Sequence, residues 1–379
     1  MKSLHRQYTR SAADMTCIGD STIDLVVTSP PYPMIEMWDE SFIHQDSAVA
    51  SCLKKNDGQA AFTRMHQVLD AVWDEVGRVM KAGGFVCINI GDAVRKLGDD
   101  FRLFPNHAHI MNAMIKRGFM SLPGIIWRKQ TNAPNKFMGS GMLPAGAYVT
   151  LEHEYILIFR KGGKRTFDTD EEKQARRESA IFWEERNNWF SDVWMDLKGT
   201  RQQLADNTVR KRSGSFPFDL PYRLVNMFSV AGDTVLDPFS GIGTTMLAAM
   251  ACGRNSSGFE IEKHFVSIIG DRVRGIVDLS NRLIASRVER HRLFVSEREK
   301  NNKPLKHVHS HYGFPVMTKQ ETGLLFHPLV SATSGIGPKM GCNAGFTVHY
   351  SPASTVPVPE KPPVDVEVDV AQLILPGMR

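Results

Sequence analysis

The segment from Thr234 to Thr245, TVLDPFSGIGTT, restricts the possible folds more than any other part of the chain. Its pattern is that of a short buried strand, an acid at the strand's carboxyl end, a glycine turn and the start of a helix. In doubly wound sheets, ligands bind just beyond the carboxyl ends of the strands, where glycines let the backbone approach them closely. The segment therefore predicts a ligand site that includes Asp237, Phe239, Gly241, Gly243 and Thr244.

The rest of the chain repeats this alternation of strands and helices. Apolar, β-branched runs predict strands at 24–28, 85–90, 122–127, 155–159, 234–236 and 257–261. Helical spacing of apolar residues predicts helices at 61–80, 103–115, 220–228, 243–252 and 263–285. Strands that alternate with helices indicate an α/β fold with a Rossmann-like, mostly parallel, doubly wound sheet.

The residues around the glycine turn indicate the chemistry of the ligand. Glu260 ends the next predicted strand, where an acid can accept hydrogen bonds from two ribose hydroxyls. The third glycine of a dinucleotide-binding turn is missing, since Met246 or Leu247 stands in its place, which argues against a pyrophosphate and against a nicotinamide oxidoreductase. Asp237 could pair with an ammonium group. A nucleoside with a cationic amino-acid end fits, and S-adenosylmethionine is such a cofactor.

A second motif, Ser29-Pro30-Pro31-Tyr32, follows the predicted strand 24–28. Together with DPFSGIGTT it resembles the amino-methylating DNA methyltransferases, which carry (D/N/S)PP(Y/F/W) at the catalytic strand and DPFxGxGTT at the cofactor turn. The catalytic motif comes first, which is the circularly permuted order of the beta class of that family. Phe216-Pro217 resembles the cofactor-proximal segment of the class, and Glu152 to Lys161 resembles a further family segment. The resemblance covers about residues 15 to 285 and implies a class I methyltransferase fold.

The chemistry of Ser29 to Tyr32 agrees with this resemblance. An exocyclic amine on a base is a poor nucleophile, because its lone pair is delocalised into the ring. Acceptors on its N–H groups, such as the Ser29 oxygen and the Pro30 carbonyl held by two stiff prolines, favour a more nucleophilic nitrogen. The Tyr32 ring offers a surface on which a base rotated out of the duplex can stack.

The motif also bears on the atom that is methylated. By resemblance, Ser in the first position is typical of N4-cytosine enzymes, whereas Asp is typical of N6-adenine enzymes, so N4 of cytosine is expected and N6 of adenine is the alternative. Methylation of cytosine C5 requires a cysteine nucleophile, usually in a Pro-Cys pair, and the chain contains no Pro-Cys dipeptide. A DNA-binding protein that keeps the fold without activity is disfavoured by the intact Asp237, Gly241, Gly243 and Glu260.

The charge distribution predicts where DNA binds. The net charge is only +5, but the segment 198–212 holds five basic residues and one acid, and such clusters contact phosphates. We therefore expect residues 1–160 to form the catalytic half, 161–212 a target-recognition insert, 213–285 the cofactor half and 286–379 a basic, then proline-rich extension. The expected DNA-contacting residues are Lys198, Arg201, Arg210, Lys211 and Arg212.

Composition excludes several other classes of protein. The five cysteines are scattered without a C-x-x-C pair, so we expect reduced thiols and no metal site. No apolar run approaches the roughly 18 residues that span a bilayer, and the amino terminus carries no apolar signal segment. We expect a cytoplasmic enzyme acting on double-stranded DNA, and the resemblance adds a cognate restriction endonuclease for the same site as a partner. Asp20 either belongs to the site or caps a turn.

Overall fold

The computed structural model describes residues 1–129, 138–139, 143–197, 216–335 and 342–351. Within these residues, strands and helices alternate along the chain. The strands are β1 (Lys2–Tyr8), β2 (Ile23–Thr28), β3 (Met80–Ile90), β4 (Ala93–Leu97), β5 (Asp100–Phe104), β6 (Phe119–Arg128), β7 (Met138–Gly139), β8 (Ala147–Tyr148), β9 (His153–Lys161), β10 (Val193–Trp194), β11 (Thr234–Asp237), β12 (Asn255–Phe259), β13 (His307–Val308), β14 (Pro315–Val316), β15 (Leu329–Ser334) and β16 (Ala344–Tyr350). The helices are α1 (Asp39–Gln45), α2 (Ala48–Lys54), α3 (Gly58–Val79), α4 (Asn106–Lys116), α5 (Asp170–Glu178), α6 (Trp183–Trp189), α7 (Asp219–Phe228), α8 (Thr244–Ala251), α9 (His264–Arg274) and α10 (Ile276–Lys300).

Ten of these strands form one sheet in the order β10-β6-β9-β3-β2-β11-β12-β1-β16-β15. The central strands β3, β2, β11, β12 and β1 are mutually parallel, whereas β9 is antiparallel to both β3 and β6. The fold is therefore the predicted mixed α/β fold with a mostly parallel central sheet. Strand β2, which leads into Ser29 to Tyr32, precedes β11, which leads into the glycine turn, and the two are neighbours in the sheet.

The sheet is covered on both faces, which explains the continuous apolar runs in its central strands. Leu25 and Val27 of β2 belong to a core with α7, α8 and α10, whereas Val26 belongs to a second core with α3 and α4. Successive side chains of a strand point to opposite faces, so a fully buried β2 contributes to both cores. Helix α3 begins where the Asp57 carboxylate accepts a hydrogen bond from the backbone N–H of Ala60 at 3.0 Å.

Two expectations about the carboxyl-terminal third need correction. The helix expected at 263–285 is two helices that meet at Gly275, and the second, α10, continues to Lys300. The sequence after 286 is also less irregular than expected, because β16 pairs with β1 and β15 pairs with β16. The expected boundary at residue 285 therefore falls inside a helix. Apolar residues of β15 and β16, such as Leu329 and Val348, are buried in the main core.

The described part of the expected insert also packs on the main fold. Trp189, Trp194 and Leu197 are buried in the core that contains β2 and α8, and β10 pairs with the edge strand β6.

No helix among the described residues is long and apolar enough to cross a membrane. The same residues contain no group of three or more His, Cys, Asp or Glu side chains that could hold a metal ion.

Candidate active site

The site lies at one edge of the sheet, where several strands end. Because β2, β3, β11 and β12 are parallel, their carboxyl ends meet there, and the antiparallel strand β9 begins at the same edge. This arrangement places together five residues that are far apart in the chain: Ser29 after β2, Asn89 in β3, Glu154 in β9, Asp237 at the end of β11 and Glu260 after β12.

A cavity of about 530 Å³ opens at this edge. Its wall includes ten of the twelve residues that the sequence indicated for catalysis and cofactor binding: Ser29, Pro30, Pro31, Tyr32, Phe216, Asp237, Phe239, Gly241, Thr244 and Glu260. Pro217 and Gly243 are not part of the wall. The Pro217 carbonyl accepts a hydrogen bond from Leu220 N–H at the start of α7.

Gly243 gives the turn before α8 its left-handed backbone conformation. Its φ of +76° is in the left-handed region, and an added Cβ would lie 2.9 Å from the Ile269 side chain. A glycine is therefore required at the position immediately before α8. Arg272, which is also buried, donates from Nη1 to the Ile242 carbonyl at 2.6 Å and to Thr244 Oγ1 at 3.0 Å, and so fixes the turn against α9.

Asp237 is a buried carboxylate held by neutral donors. Its Oδ1 accepts hydrogen bonds from Thr28 Oγ1 at 2.7 Å and from the backbone N–H of Phe239 at 3.1 Å. Burial raises the pKa of Asp237 to about 6, although these hydrogen bonds act in the opposite direction. A cationic ligand group beside this side chain would stabilise its ionised form.

Glu260 organises the glycine turn and still faces the cavity. Its Oε2 accepts from the backbone N–H of Gly241 at 2.9 Å, and its Oε1 accepts from the backbone N–H of Glu262 at 3.0 Å. Burial raises the pKa of Glu260, while backbone N–H donors lower it. A carboxylate has about four acceptor positions, so Glu260 retains acceptor capacity for a ligand hydroxyl.

The motif from Ser29 to Tyr32 takes part in a hydrogen-bond network that the sequence did not reveal. Ser29 Oγ donates to Tyr32 Oη at 3.1 Å, and Tyr32 Oη donates to Glu154 Oε2 at 2.9 Å. Asn89 Nδ2 donates to the same Tyr32 oxygen at 2.9 Å and to Glu154 Oε2 at 2.7 Å. Lys129 Nζ binds Glu154 Oε1 at 2.7 Å. Burial and the neighbouring Glu154 raise the pKa of Tyr32 well above its ordinary value, so the phenol keeps its proton.

Sequence reasoning did not assign Glu154, Asn89 or Lys129 to the site. Glu154 lies within the family-like segment 152–161, and an acid at the start of an otherwise apolar strand, EHEYILIF, is the signal that could have identified it. Asp20, by contrast, is largely exposed and pairs with Arg78. The predicted DNA contacts Lys198, Arg201, Arg210, Lys211 and Arg212 lie outside the described residues.

The amino-acid sequence was compared with protein families and with individual proteins. Residues 23–271 match the N6_N4_Mtase family, described as DNA methylase. The type II methyltransferase M.MthZI of Methanothermobacter thermautotrophicus is 52% identical over 330 residues, which is 86% of this chain and 92% of that protein. The type II methyltransferase M.MjaI of Methanocaldococcus jannaschii is 46% identical over 280 residues, covering 71% and 91% of the two chains.

Solved structures agree with this similarity. TTHA0409 of Thermus thermophilus, assigned as a DNA modification methylase and solved in complex with S-adenosyl-L-methionine, matches with a TM-score of 0.55 and 31% identity. The match covers 71% of this chain and 92% of that one. The cytosine-N4-specific PvuII DNA methyltransferase, at 17% identity and a TM-score of 0.51 over 74% and 92% of the chains, shares the fold. The chain, with Ser29 to Tyr32 and the glycine turn after Asp237 in the wall of one cavity, belongs to the N6_N4_Mtase family of DNA methylases.

Proposed function

We propose that this enzyme transfers the methyl group of S-adenosylmethionine to the exocyclic N4 amine of a cytosine that is rotated out of duplex DNA. One observation carries the proposal: the Ser29 hydroxyl and the buried Asp237 carboxylate line the same cavity. A group transfer requires that donor and acceptor be held together in one water-excluding site. The general activity, that of a type II DNA methyltransferase without regard to the base that is methylated, follows from membership of the family and from the relatives.

The cofactor is S-adenosylmethionine, which supplies an electrophilic methyl group on a sulfonium centre. The described residues suit it: Asp237 would hold the ammonium of its amino-acid end, and Glu260 would accept hydrogen bonds from the ribose hydroxyls. Gly241 has a φ of +48°, and a Cβ added to it would meet no atom within 4 Å, so the turn stays open beside the ligand. Phe216 and Phe239 add apolar surface to the cavity wall.

On the target side, the enzyme must increase the nucleophilicity of a conjugated amine. The Ser29 oxygen and the Pro30 carbonyl are the acceptors that we assign to its two N–H groups, and both residues line the cavity. The Tyr32 ring, in the same wall, is the surface on which the base stacks. Catalysis then consists of positioning and of polarising the amine, without a covalent enzyme intermediate, and the methylated nitrogen releases one proton to water.

Cytosine is proposed over adenine because of Ser29, the residue type typical of the N4-cytosine members of the family. N6 of adenine is the second candidate, since the matched family includes both kinds of amino-methylating enzyme. We also propose that residues 161–212 recognise the DNA sequence, that Lys198, Arg201, Arg210, Lys211 and Arg212 contact phosphates, and that the enzyme works in the cytoplasm beside an endonuclease that cuts the same site.

The direct test is transfer of tritiated methyl groups from the cofactor to duplex DNA, followed by digestion and mass spectrometry of the nucleosides. The expected product is N4-methylcytosine. Label on adenine N6 would establish the second candidate, and label on cytosine C5, or none at all, would refute both. Ser29→Ala should lower turnover by on the order of a hundredfold while cofactor affinity stays within about twofold.

A further inference from the structure

Glu154 is the one carboxylate in the hydrogen-bond network of Ser29, and both side chains belong to the cavity wall. It lies in β9, opposite Trp127 of β6, and only 9% of its surface is exposed. Both of its oxygens are engaged: Oε1 with Lys129 Nζ at 2.7 Å, and Oε2 with Asn89 Nδ2 at 2.7 Å and Tyr32 Oη at 2.9 Å. An ionised carboxylate can only accept hydrogen bonds, so every partner of Glu154 must donate to it.

This requirement fixes the positions of the protons along the network. The single phenolic proton of Tyr32 goes to Glu154, and the Tyr32 oxygen can then only accept from its other partners. It accepts from the amide of Asn89 at 2.9 Å and from the Ser29 hydroxyl at 3.1 Å. The Ser29 proton therefore points towards Tyr32, and the remaining lone pairs of Ser29 Oγ stay available on the cavity side.

The direction matters because a serine hydroxyl can either donate or accept. If Ser29 donated its proton to the amine nitrogen, it would occupy the lone pair that must attack the methyl group. If Ser29 accepts from an N–H of the amine, it increases the electron density on that nitrogen. A carboxylate in the first position of the motif accepts without assistance, whereas a serine needs a neighbour that takes its proton.

We propose that Glu154 is a positioning residue which, through Tyr32, holds the Ser29 hydroxyl with its proton away from the target amine, so that the serine acts as an obligate acceptor. This inference rests on the proposed function, because it concerns how Ser29 addresses the amine. It assigns to the phenolic oxygen of Tyr32 a role separate from stacking by the ring. It also explains why Asn89 and Glu154, in two neighbouring strands, converge on one tyrosine oxygen.

A double-mutant cycle between Tyr32→Phe and Ser29→Ala tests the proposal, measured as single-turnover methyl transfer with excess enzyme. Tyr32→Phe keeps the ring but removes the hydroxyl that links Ser29 to Glu154, so we expect the rate to fall about tenfold or more. The KM for DNA and the Kd for cofactor should stay within about twofold of wild type. In the Ser29→Ala background the same change should alter the rate by less than about twofold, because Tyr32 and Glu154 affect the rate only through the Ser29 hydroxyl.

Matched controls separate this role from a loss of packing. Tyr350→Phe removes another buried phenol, which binds Ser3 and Met250 instead, and should leave the rate unchanged. Glu154→Gln, whose amide oxygen can still accept from Tyr32, should retain more activity than Glu154→Leu, with melting temperatures compared for each. An unchanged rate in Tyr32→Phe, or an equal loss with and without Ser29, would overturn the proposal. Wild-type enzyme that yields no N4-methylcytosine would instead refute the proposed function.

Discussion

The hydroxyl of Thr28 donates a 2.7 Å hydrogen bond to Oδ1 of Asp237 and so joins the last residue of the catalytic strand β2 to the acid at the end of β11. Both side chains are buried, at 0% and 4% exposure. The bond connects the two halves of the active site directly, because Ser29 follows Thr28 and the glycine turn follows Asp237. The bond therefore fixes the carboxyl ends of β2 and β11 relative to each other.

Replacing Thr28 by valine tests this connection. The isosteric side chain removes the donor and leaves a buried charged acceptor short of one hydrogen bond, so we expect the free energy of unfolding to fall by about 1.5 to 3 kcal/mol. The pKa of Asp237 should also rise further. Chemical denaturation measures the first effect, and the control is Thr63→Val, which removes an exposed hydroxyl that donates to the Gln59 carbonyl in the same helix. Equal stability of Thr28→Val and Thr63→Val would contradict the prediction.

The raised pKa of Asp237 predicts a pH dependence of cofactor binding. Because an ammonium group binds the ionised carboxylate, affinity should fall as the pH drops through about 6. Below that value the loss approaches about tenfold per pH unit. Isothermal titration calorimetry between about pH 5 and 8 measures it, in wild type and in Asp237→Asn. The variant should bind about 10- to 100-fold more weakly at neutral pH, without the transition seen in wild type.

The raised pKa of Asp237 also makes the stability of the unliganded protein depend on pH, but in the opposite direction: cofactor affinity falls as the pH drops, whereas stability falls as the pH rises. A carboxyl with a folded-state pKa above its unfolded value stabilises the fold in its protonated form, and that contribution is lost as the pH rises through about 6. Asp237→Asn stays neutral, so above that pH we expect it to be more stable than wild type by about 1 to 3 kcal/mol. A destabilised Asp237→Asn would show that the carboxylate charge is compensated in the free enzyme.

Glu260 should contribute through the ribose of the cofactor. Two lost hydrogen bonds at about 1 to 1.5 kcal/mol each predict a roughly 30- to 150-fold loss of affinity in Glu260→Ala. For a cofactor analogue lacking both ribose hydroxyls, Glu260→Ala should cost less affinity than for the natural cofactor, because only the turn contacts with Gly241 and Glu262 are then lost. Asp271→Ala, which removes an exposed acid paired with Arg274, should behave as wild type. If Glu260→Ala still distinguished the two cofactors, the ribose would have another partner.

A buried ion pair should make the segment after residue 285 essential for folding. Arg287 of α10 binds both oxygens of Glu185 in α6, at 2.6 and 2.7 Å, and both side chains are buried. Removing one partner leaves an uncompensated buried charge, so Glu185→Ala or Arg287→Ala should each cost about 3 to 5 kcal/mol. Replacing both by leucine and methionine should recover most of that loss in a denaturant titration. Single variants with losses under about 1 kcal/mol would contradict this prediction.

The basic segment 198–212 should govern the salt dependence of DNA binding. Each replacement of Lys198, Arg201, Arg210, Lys211 or Arg212 by glutamine should lower the slope of log affinity against log salt by about 0.9 if that residue contacts a phosphate. Fluorescence anisotropy with a duplex at several salt concentrations measures the slope. Variants that all keep the wild-type slope would refute the assignment of this segment to the phosphate backbone.

The sequence by itself determined the fold class and ten of the residues in the cavity wall, because these depend on local patterns. An apolar strand, an acid and a glycine turn at Thr234 to Thr245 form a continuous segment, and so do the strand and the proline-held loop at Ser29 to Tyr32. Strand ends in a parallel sheet meet at one edge, so two local motifs predict one site without any knowledge of distances.

Only the tertiary structure decided which further groups join that site and where the domain ends. Glu154 lies 122 residues from Tyr32 and Asn89 lies 57 from it, and no local pattern links residues that meet only when β2, β3 and β9 pair. The strands β15 and β16 escaped prediction for the same reason, since their apolar residues are buried by β1 and α10, which are distant in the chain. A sequence records which residues can be buried, whereas the pairing of strands decides what they are buried against.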